Sequence, residues 1–177
     1  PKNVQFERPE DDMGTAVSLS HDGYFLSHGL IHHRHLRLGY DGRGLTGEDA
    51  LLAESERAHR IFDKAFDASR LKGVGYDIRF HLHPEVDAEL DLGGTAVSMA
   101  LRSGEIWVFR HDGTSRLSLE ASVFLAKGRL SPRATKQIVL SGTAVDYTTR
   151  IGWTLSKAQD TPTHIRDFEA DDMLAAD

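Results

Sequence analysis

Residues 145–155 read Val-Asp-Tyr-Thr-Thr-Arg-Ile-Gly-Trp-Thr-Leu. Every second position (Val145, Tyr147, Thr149, Ile151, Trp153, Leu155) is apolar or β-branched, and the positions between are polar or glycine. In an extended strand successive side chains point to opposite faces. One face of this segment is therefore suited to a core and the other to a more polar surface. The same period recurs elsewhere. Leu117, Leu119, Ala121, Val123 and Leu125 alternate, as do Ile78, Phe80 and Leu82, and Val97, Met99 and Leu101. Ile106, Trp107, Val108 and Phe109 are apolar on both faces, as in a central strand. Lys136 to Leu140 reads as a further short strand. Upstream, residues 15–20 form a short strand that ends in the turn chemistry of Asp22-Gly23. Residues 30–40 form a longer strand, Asp41-Gly42 turns the chain, and residues 44–52 return. Residues 53–72 depart from this rule, because apolar positions 58, 61, 62, 65 and 66 follow helical spacing. The pattern predicts an all-β protein, an antiparallel β-sandwich of roughly ten to twelve strands with one short helical insertion. The expected boundaries are a sandwich domain over 1–158, with 53–72 as a helical or loop insertion, and an acidic C-terminal tail over 159–177.

The length of 177 residues fits one domain with a substantial core. A composition of 40% hydrophobic and 27% charged residues is that of an ordinary folded domain. No apolar run approaches the ~20 residues of a membrane-spanning helix, so no membrane span is expected. The first residues, Pro1-Lys2-Asn3-Val4-Gln5, resemble neither a signal peptide nor an initiator methionine. They read as the cut edge of a longer protein, which leaves the compartment open. Cysteine is absent, which removes disulfides, thiolate metal sites and cysteine nucleophiles. The net charge of −6 argues against a nucleic-acid partner, since phosphate binding needs a basic face. There are 10 histidines, and His21, His28, His32, His33, His35 and His59 all fall in the first third.

Three groups of residues carry possible chemistry. In Arg79-Phe80-His81-Leu82-His83-Pro84, strand parity puts Arg79, His81 and His83 on one face. Two imidazoles from alternate positions, with Glu89 as the carboxylate, could hold a divalent metal in a cupin-like site, although the glutamate comes one residue late for that motif. The alternative is a face of histidines bonded to their neighbours. In His32-His33-Arg34-His35-Leu36-Arg37, His32 shares the face of Arg34. Their donors suit the carboxylate of an acidic sugar, or else cross-strand pairing to Glu48 and Asp49 on the returning strand. His21 and Tyr24 form a possible acid/base pair, although turn geometry alone accounts for the Asp22-Gly23 between them. Trp107, Phe109, Tyr147 and Trp153 are expected mainly in the core. No phosphate-binding glycine loop and no Gly-x-Ser-x-Gly elbow occurs.

An ordered series runs through these motifs. It comprises His21-Asp22-Gly23-Tyr24, Gly29-Leu30-Ile31-His32 with Arg34, Asp41-Gly42, Gly47-Glu48-Asp49, residues 79–84, and Gln137-Ile138-Val139-Leu140-Ser141-Gly142. From about residue 15 to 157 it resembles the C-terminal β-sandwich region of heparinase II/III-like proteins. The resemblance implies a bacterial polysaccharide lyase, periplasmic or cytoplasmic, whose partners are an acidic polysaccharide and an N-terminal α-helical toroid. It implies β-elimination on uronic-acid-containing glycans, with Tyr and His groups supplied largely by the toroid. No catalytic residue is carried onto this chain, and the fragment alone is expected to be inactive. In some members a histidine-rich segment that would precede Pro1 supplies ligands for a divalent metal. Arg79, His81, His83, His32, Arg34, His21 and Tyr24 are thus candidates for substrate binding or a domain interface, with His81 and His83 as candidate metal ligands. A carbohydrate-binding or structural sandwich, and a small cupin-like metalloenzyme, are the alternative readings.

Overall fold

A computed structural model describes residues 1–128 and 131–158. The expected acidic tail over 159–177 lies outside the described residues. The elements follow in the order β1 (Val4–Glu7), β2 (Gly14–Tyr24), α1 (Phe25–His28), β3 (Leu30–Gly39), β4 (Gly44–Leu52), α2 (Glu56–Ala68), β5 (Val74–His81) and β6 (Asp87–Asp91). After a short 3-10 turn (Leu92–Gly94) come β7 (Ala96–Ala100), β8 (Ile106–His111), β9 (Arg116–Phe124), β10 (Arg133–Ala144) and β11 (Thr148–Lys157). Two antiparallel sheets result, an 8-stranded one in the order β1-β2-β3-β4-β11-β8-β7-β6 and a 3-stranded one in the order β5-β10-β9. The expected sandwich is therefore observed, with its layers very unequal in width.

The main core lies between the sheets. Val97, Phe109, Ile151 and Trp153 from the large sheet meet Leu117, Ile138 and Leu140 from the small one. Ring contacts among Phe80, Phe109 and Trp153 join the two layers, with the Phe80 and Trp153 centroids 4.8 Å apart. A second apolar cluster closes one end, where Ala58 and Phe62 of α2 pack with Leu30, Leu51, Val74 and Ala144. The helix forms where its sequence directs. The Ser55 hydroxyl accepts the Ala58 N–H at 3.2 Å as an N-cap, and Glu56 suits the positive end of the helix dipole. Ala58 and Phe62, four residues apart, face the sheet ends.

Three local features differ from the sequence expectation. The Asp22-Gly23 pair does not end a short strand, because β2 continues through it to Tyr24. The pairing with β3 is instead displaced between His21 and Tyr24, a β-bulge that absorbs the turn-forming residues. The reversal into β3 is made by the single turn of α1 and by Gly29, whose φ of 70° only glycine adopts cheaply. The edge strands β1 and β6 also carry too little alternation to stand out in the sequence, since both are short and polar on at least one face.

Gly47 lies opposite Trp153 in the β4–β11 ladder, and a Cβ there would stand 2.2 Å from the indole ring. Gly47→Ala is expected to lower the unfolding free energy by roughly 1–3 kcal/mol, the usual cost of overpacking. The tryptophan emission should shift as the ring is displaced. Parental stability and emission would show that the core accommodates the methyl group.

Candidate functional site

Hairpin register builds the site. The β3–β4 pairing places Arg34 opposite Asp49, and the β4–β11 pairing places Asp49 opposite Ile151. Asp49 therefore faces the sheet-to-sheet interior, where it is 1% exposed. Its carboxylate is bonded on every side. His32 Nε2 stands 2.7 Å from Oδ1. The Arg34 guanidinium donates from Nε to Oδ1 at 2.8 Å and from Nη2 to Oδ2 at 3.1 Å. The Trp153 indole N–H donates to Oδ2 at 2.9 Å. The Arg34 guanidinium also lies over the Phe80 ring, 5.5 Å from its centroid. His32 is in turn paired across strands with His21, with His32 Nδ1 and His21 Nε2 3.2 Å apart. The Tyr24 ring is centred 5.3 Å from that of His21.

This cluster forms one wall of a cavity of about 340 Å³. The floor is apolar (Leu30, Leu51, Ile151), the opposite wall is β5 from Val74 to Arg79 with Ile78 among its residues, and Tyr24 and His28 come from the β2–α1 end. Such a hollow, apolar beneath and carrying donors at its edge, suits a ring with polar substituents.

Burial alone would raise the Asp49 carboxyl above its ordinary value of 3.8. The hydrogen bonds from His32, Arg34 and Trp153, together with the Arg34 charge, outweigh that effect and hold it lower. Because its pKa is lower in the folded state, its contribution to stability is complete above the unfolded value and is lost as pH falls through the folded one. Denaturation midpoints measured from neutral pH downward should therefore hold until the ordinary carboxylate range and fall below it. In Asp49→Asn that acid-side fall should be shallower. An equal slope in both proteins would exclude Asp49 as a contributor.

The sequence candidates divide in space. His21, Tyr24, His32 and Arg34 come together at the cavity, and Arg79 borders it. The Arg79 guanidinium is engaged on the far face of the small sheet, at 2.7 Å from Asp77 and 3.0 Å from Glu120. His81 Nδ1 is 2.8 Å from the Ser122 hydroxyl. His83 lies beyond the end of β5, edge-on to Phe124 with centroids 4.9 Å apart. Strand parity thus holds for Arg79 and His81, yet neither His81 nor His83 lines the cavity. Glu89, the proposed third metal ligand, belongs to β6 in the other sheet. Among the described residues no three histidine or carboxylate side chains are arranged to hold a metal ion. Arg34 takes the cross-strand partner that the returning strand offered, which makes it part of the wall's framework.

Two participants were missed as site residues, Asp49 and His28. Asp49 was legible in principle, because a hairpin centred on Asp41-Gly42 sets it opposite Arg34. His28 became a lining residue only through the one-turn helix, which no periodicity marks.

The pattern of the heparinase II/III-like C-terminal family matches residues 1–154. FtsZ-localized protein C of Caulobacter vibrioides (strain NA1000 / CB15N) is 29% identical over 157 residues, covering 88% of this chain and 26% of that protein. Heparan sulfate lyase HepC from Pedobacter heparinus is similar in structure, with a TM-score of 0.65 at 10% identity, over 90% of this chain and 22% of that one. A heparinase III structure gives a TM-score of 0.60 at 13% identity, over 87% of this chain and 21% of that one. The chain thus spans about a quarter of the length of these larger proteins. No described helix is long and apolar enough to cross a membrane. With the family pattern extending over residues 1–154 and the matching two-sheet architecture, this chain belongs to the heparinase II/III-like family as its C-terminal β-sandwich.

Proposed function

We propose that this chain is the β-sandwich module of a polysaccharide lyase acting on uronic-acid-containing glycans. The module supplies one wall of the glycan cleft, and a helical domain outside this chain supplies the groups that break the bond. In β-elimination the uronate carboxylate is neutralised, the C5 proton is abstracted, and the 4-linked oxygen leaves with its electron pair and is protonated. The observation that carries the reading is the cavity of about 340 Å³, with Tyr24 and His28 at its edge and an apolar floor, in a family whose similar solved structures bear lyase names. Tyr24 and His28 would donate to glycan oxygens, while Asp49 holds Arg34 and His32 in the wall. None of these is assigned as the base.

The test uses the full-length parent protein with a panel of uronate-containing polysaccharides, reading the ultraviolet absorbance of the unsaturated product. Product should form, and Tyr24→Phe combined with His28→Ala should lower kcat/KM at least tenfold. Absence of product with every uronate polymer would overturn the lyase reading. Unchanged kinetics in the double variant would remove the cavity from the cleft.

A second reading rests on the 29% identity to a protein named for its localisation with FtsZ. The module would then help place its parent at the division site. A fluorescent fusion of the parent should concentrate at midcell with FtsZ, and a uniform distribution would dismiss this reading.

A further inference from the structure

The two imidazoles beside the cavity have their protons placed by a backbone amide. The Gly23 N–H donates to His21 Nδ1 at 3.1 Å, so that nitrogen carries a lone pair and the neutral ring holds its proton on Nε2. His21 Nε2 then donates to His32 Nδ1 across 3.2 Å. His32 must in turn be protonated on Nε2, which donates to Asp49 Oδ1 at 2.7 Å. One assignment satisfies all four ring nitrogens, and the donors run in one direction, from Gly23 through His21 and His32 to Asp49. Gly23 is required for this approach, because a Cβ there would lie 2.9 Å from His21 Nδ1.

The chain has no lone pair to spare. A proton added to His32 Nδ1 would set two N–H groups against each other, and one added to His21 Nδ1 would do the same against the Gly23 amide. The pair accepts a proton only by rearranging. His32 then donates from both nitrogens, His21 accepts on Nε2 and carries its proton on Nδ1, and the bond from Gly23 is lost. The bond broken is Gly23 N–H to His21 Nδ1, and the incoming proton is shared by the imidazole pair.

The charges that face this pair come from every side. Arg34 and Asp49 stand on β3 and β4, Asp22 and Tyr24 on β2, His28 on α1 and the Pro1 amino group before β1, whereas Asp77 and Arg79 of β5 border the cavity with their charged ends paired on the far face of the small sheet. Asp49 is already shared with Arg34 and Trp153, and Asp22 accepts from the Lys2 and Asn3 amides. Burial foremost, then the His32 and Pro1 charges, hold the His21 pKa below its ordinary value against the opposing pull of Asp22.

Gly23 sits inside the bulge between His21 and Tyr24, and Tyr24 is the residue that starts α1. Losing the Gly23 bond therefore loosens the bulge immediately before Tyr24 and His28, while the Tyr24–Leu30 pairing and the seating of Gly29 on α2 keep that segment in the fold. We propose that the His21–His32 pair is a proton-operated latch on this cavity, closed by the Gly23 amide when both rings are neutral and opened when the pair takes up one proton. The latch is independent of the glycan reading, since it requires only the geometry of β2, β3 and β4.

The test is nitrogen-15 NMR of the full chain. At neutral pH both rings should show the Nε2–H tautomer. On acidification the Gly23 amide proton should shift upfield as its bond is lost, and the Tyr24 and Phe25 amide signals should move with the same midpoint. In His21→Phe that shared titration should vanish from all three residues. If the variant does not fold, the wild-type tautomers and midpoints decide alone. A His21 ring protonated on Nδ1 at neutral pH, or Gly23 and Tyr24 signals that stay flat while the His21–His32 pair takes up its proton, would overturn the latch.

Discussion

Asp49→Asn is expected to lower the unfolding free energy of the chain by about 3 kcal/mol, at the lower end of the cost of breaking a buried ion pair. The substitution preserves size and shape but removes the charge and turns one acceptor oxygen into a donor. In the wild-type protein both oxygens accept, Oδ1 from His32 and Arg34 and Oδ2 from Arg34 and Trp153. An amide NH₂ in place of either oxygen confronts donors with no acceptor. Rotating the amide only exchanges which donors are confronted. Arg34 is 29% exposed, so water offsets part of the loss of its counter-charge, which is why the lower end of the range applies. Urea denaturation of the two proteins measures the effect. Glu48→Gln is the control one residue away, on the opposite face, where Glu48 pairs with Arg150 near solvent. Its cost should stay below about 1 kcal/mol, as for exposed pairs generally. If Asp49→Asn and Glu48→Gln cost the same, the hub around Asp49 does not organise the wall.

Gly29→Ala should be comparably damaging, for a backbone reason. Gly29 ends α1 with φ at 70°, a conformation that costs an alanine about 1 kcal/mol. A Cβ at this position would also lie 2.2 Å from the Ala58 carbonyl oxygen and 2.9 Å from the Phe62 amide nitrogen. Both atoms are main chain within α2, so no side-chain rotation relieves the clash. The helix must withdraw, and it takes with it Ala58 and Phe62, which are 1% and 3% exposed in the end cluster. The overpacking penalty of roughly 1–3 kcal/mol adds to the conformational one. Unfolding free energy and hydrogen-exchange protection of the α2 amides should fall together. Gly42→Ala separates the two causes, because Gly42 also has positive φ, at 67°, but nothing within 4 Å of its Cβ position. It should show the conformational cost alone. Equal losses at Gly29 and Gly42 would mean that α2 does not rest on α1 as described.

The behaviour of α1 explains why part of the site was hidden in the sequence. Four residues forming one helical turn leave no periodic trace, so His28 could not be recognised as a lining residue in advance. The bulge at Gly23 reads as a turn in the sequence for a related reason. Asp-Gly chemistry marks a departure from regular extended backbone, and a turn and a bulge both satisfy it. Only the pairing of β1 and β3 on either side of β2 decides between them.

Alternation along Ile151–Leu155, Leu117–Leu119 and Ile78–Leu82 was enough to establish strands and their inward faces, because side-chain direction in a strand depends only on parity. The helical spacing of Ala58 and Phe62 likewise placed α2 within the insertion. Local chemistry stops there. His81 and Arg34 look equally eligible as site residues in the sequence, since each is a donor at an alternating strand position. What separates them is which sheet each strand joined. β5 became the edge of a 3-stranded layer whose far face carries Arg79 and His81, whereas β3 was enclosed between β2 and β4 with Arg34 turned inward against Asp49. Sheet membership depends on contacts between residues far apart in the chain, such as Asp49 with Trp153, and on the burial those contacts create. The cavity, the hub and the histidine latch all arise at that level, where distant strands meet and a carboxylate withdrawn from water must find all its partners in the protein.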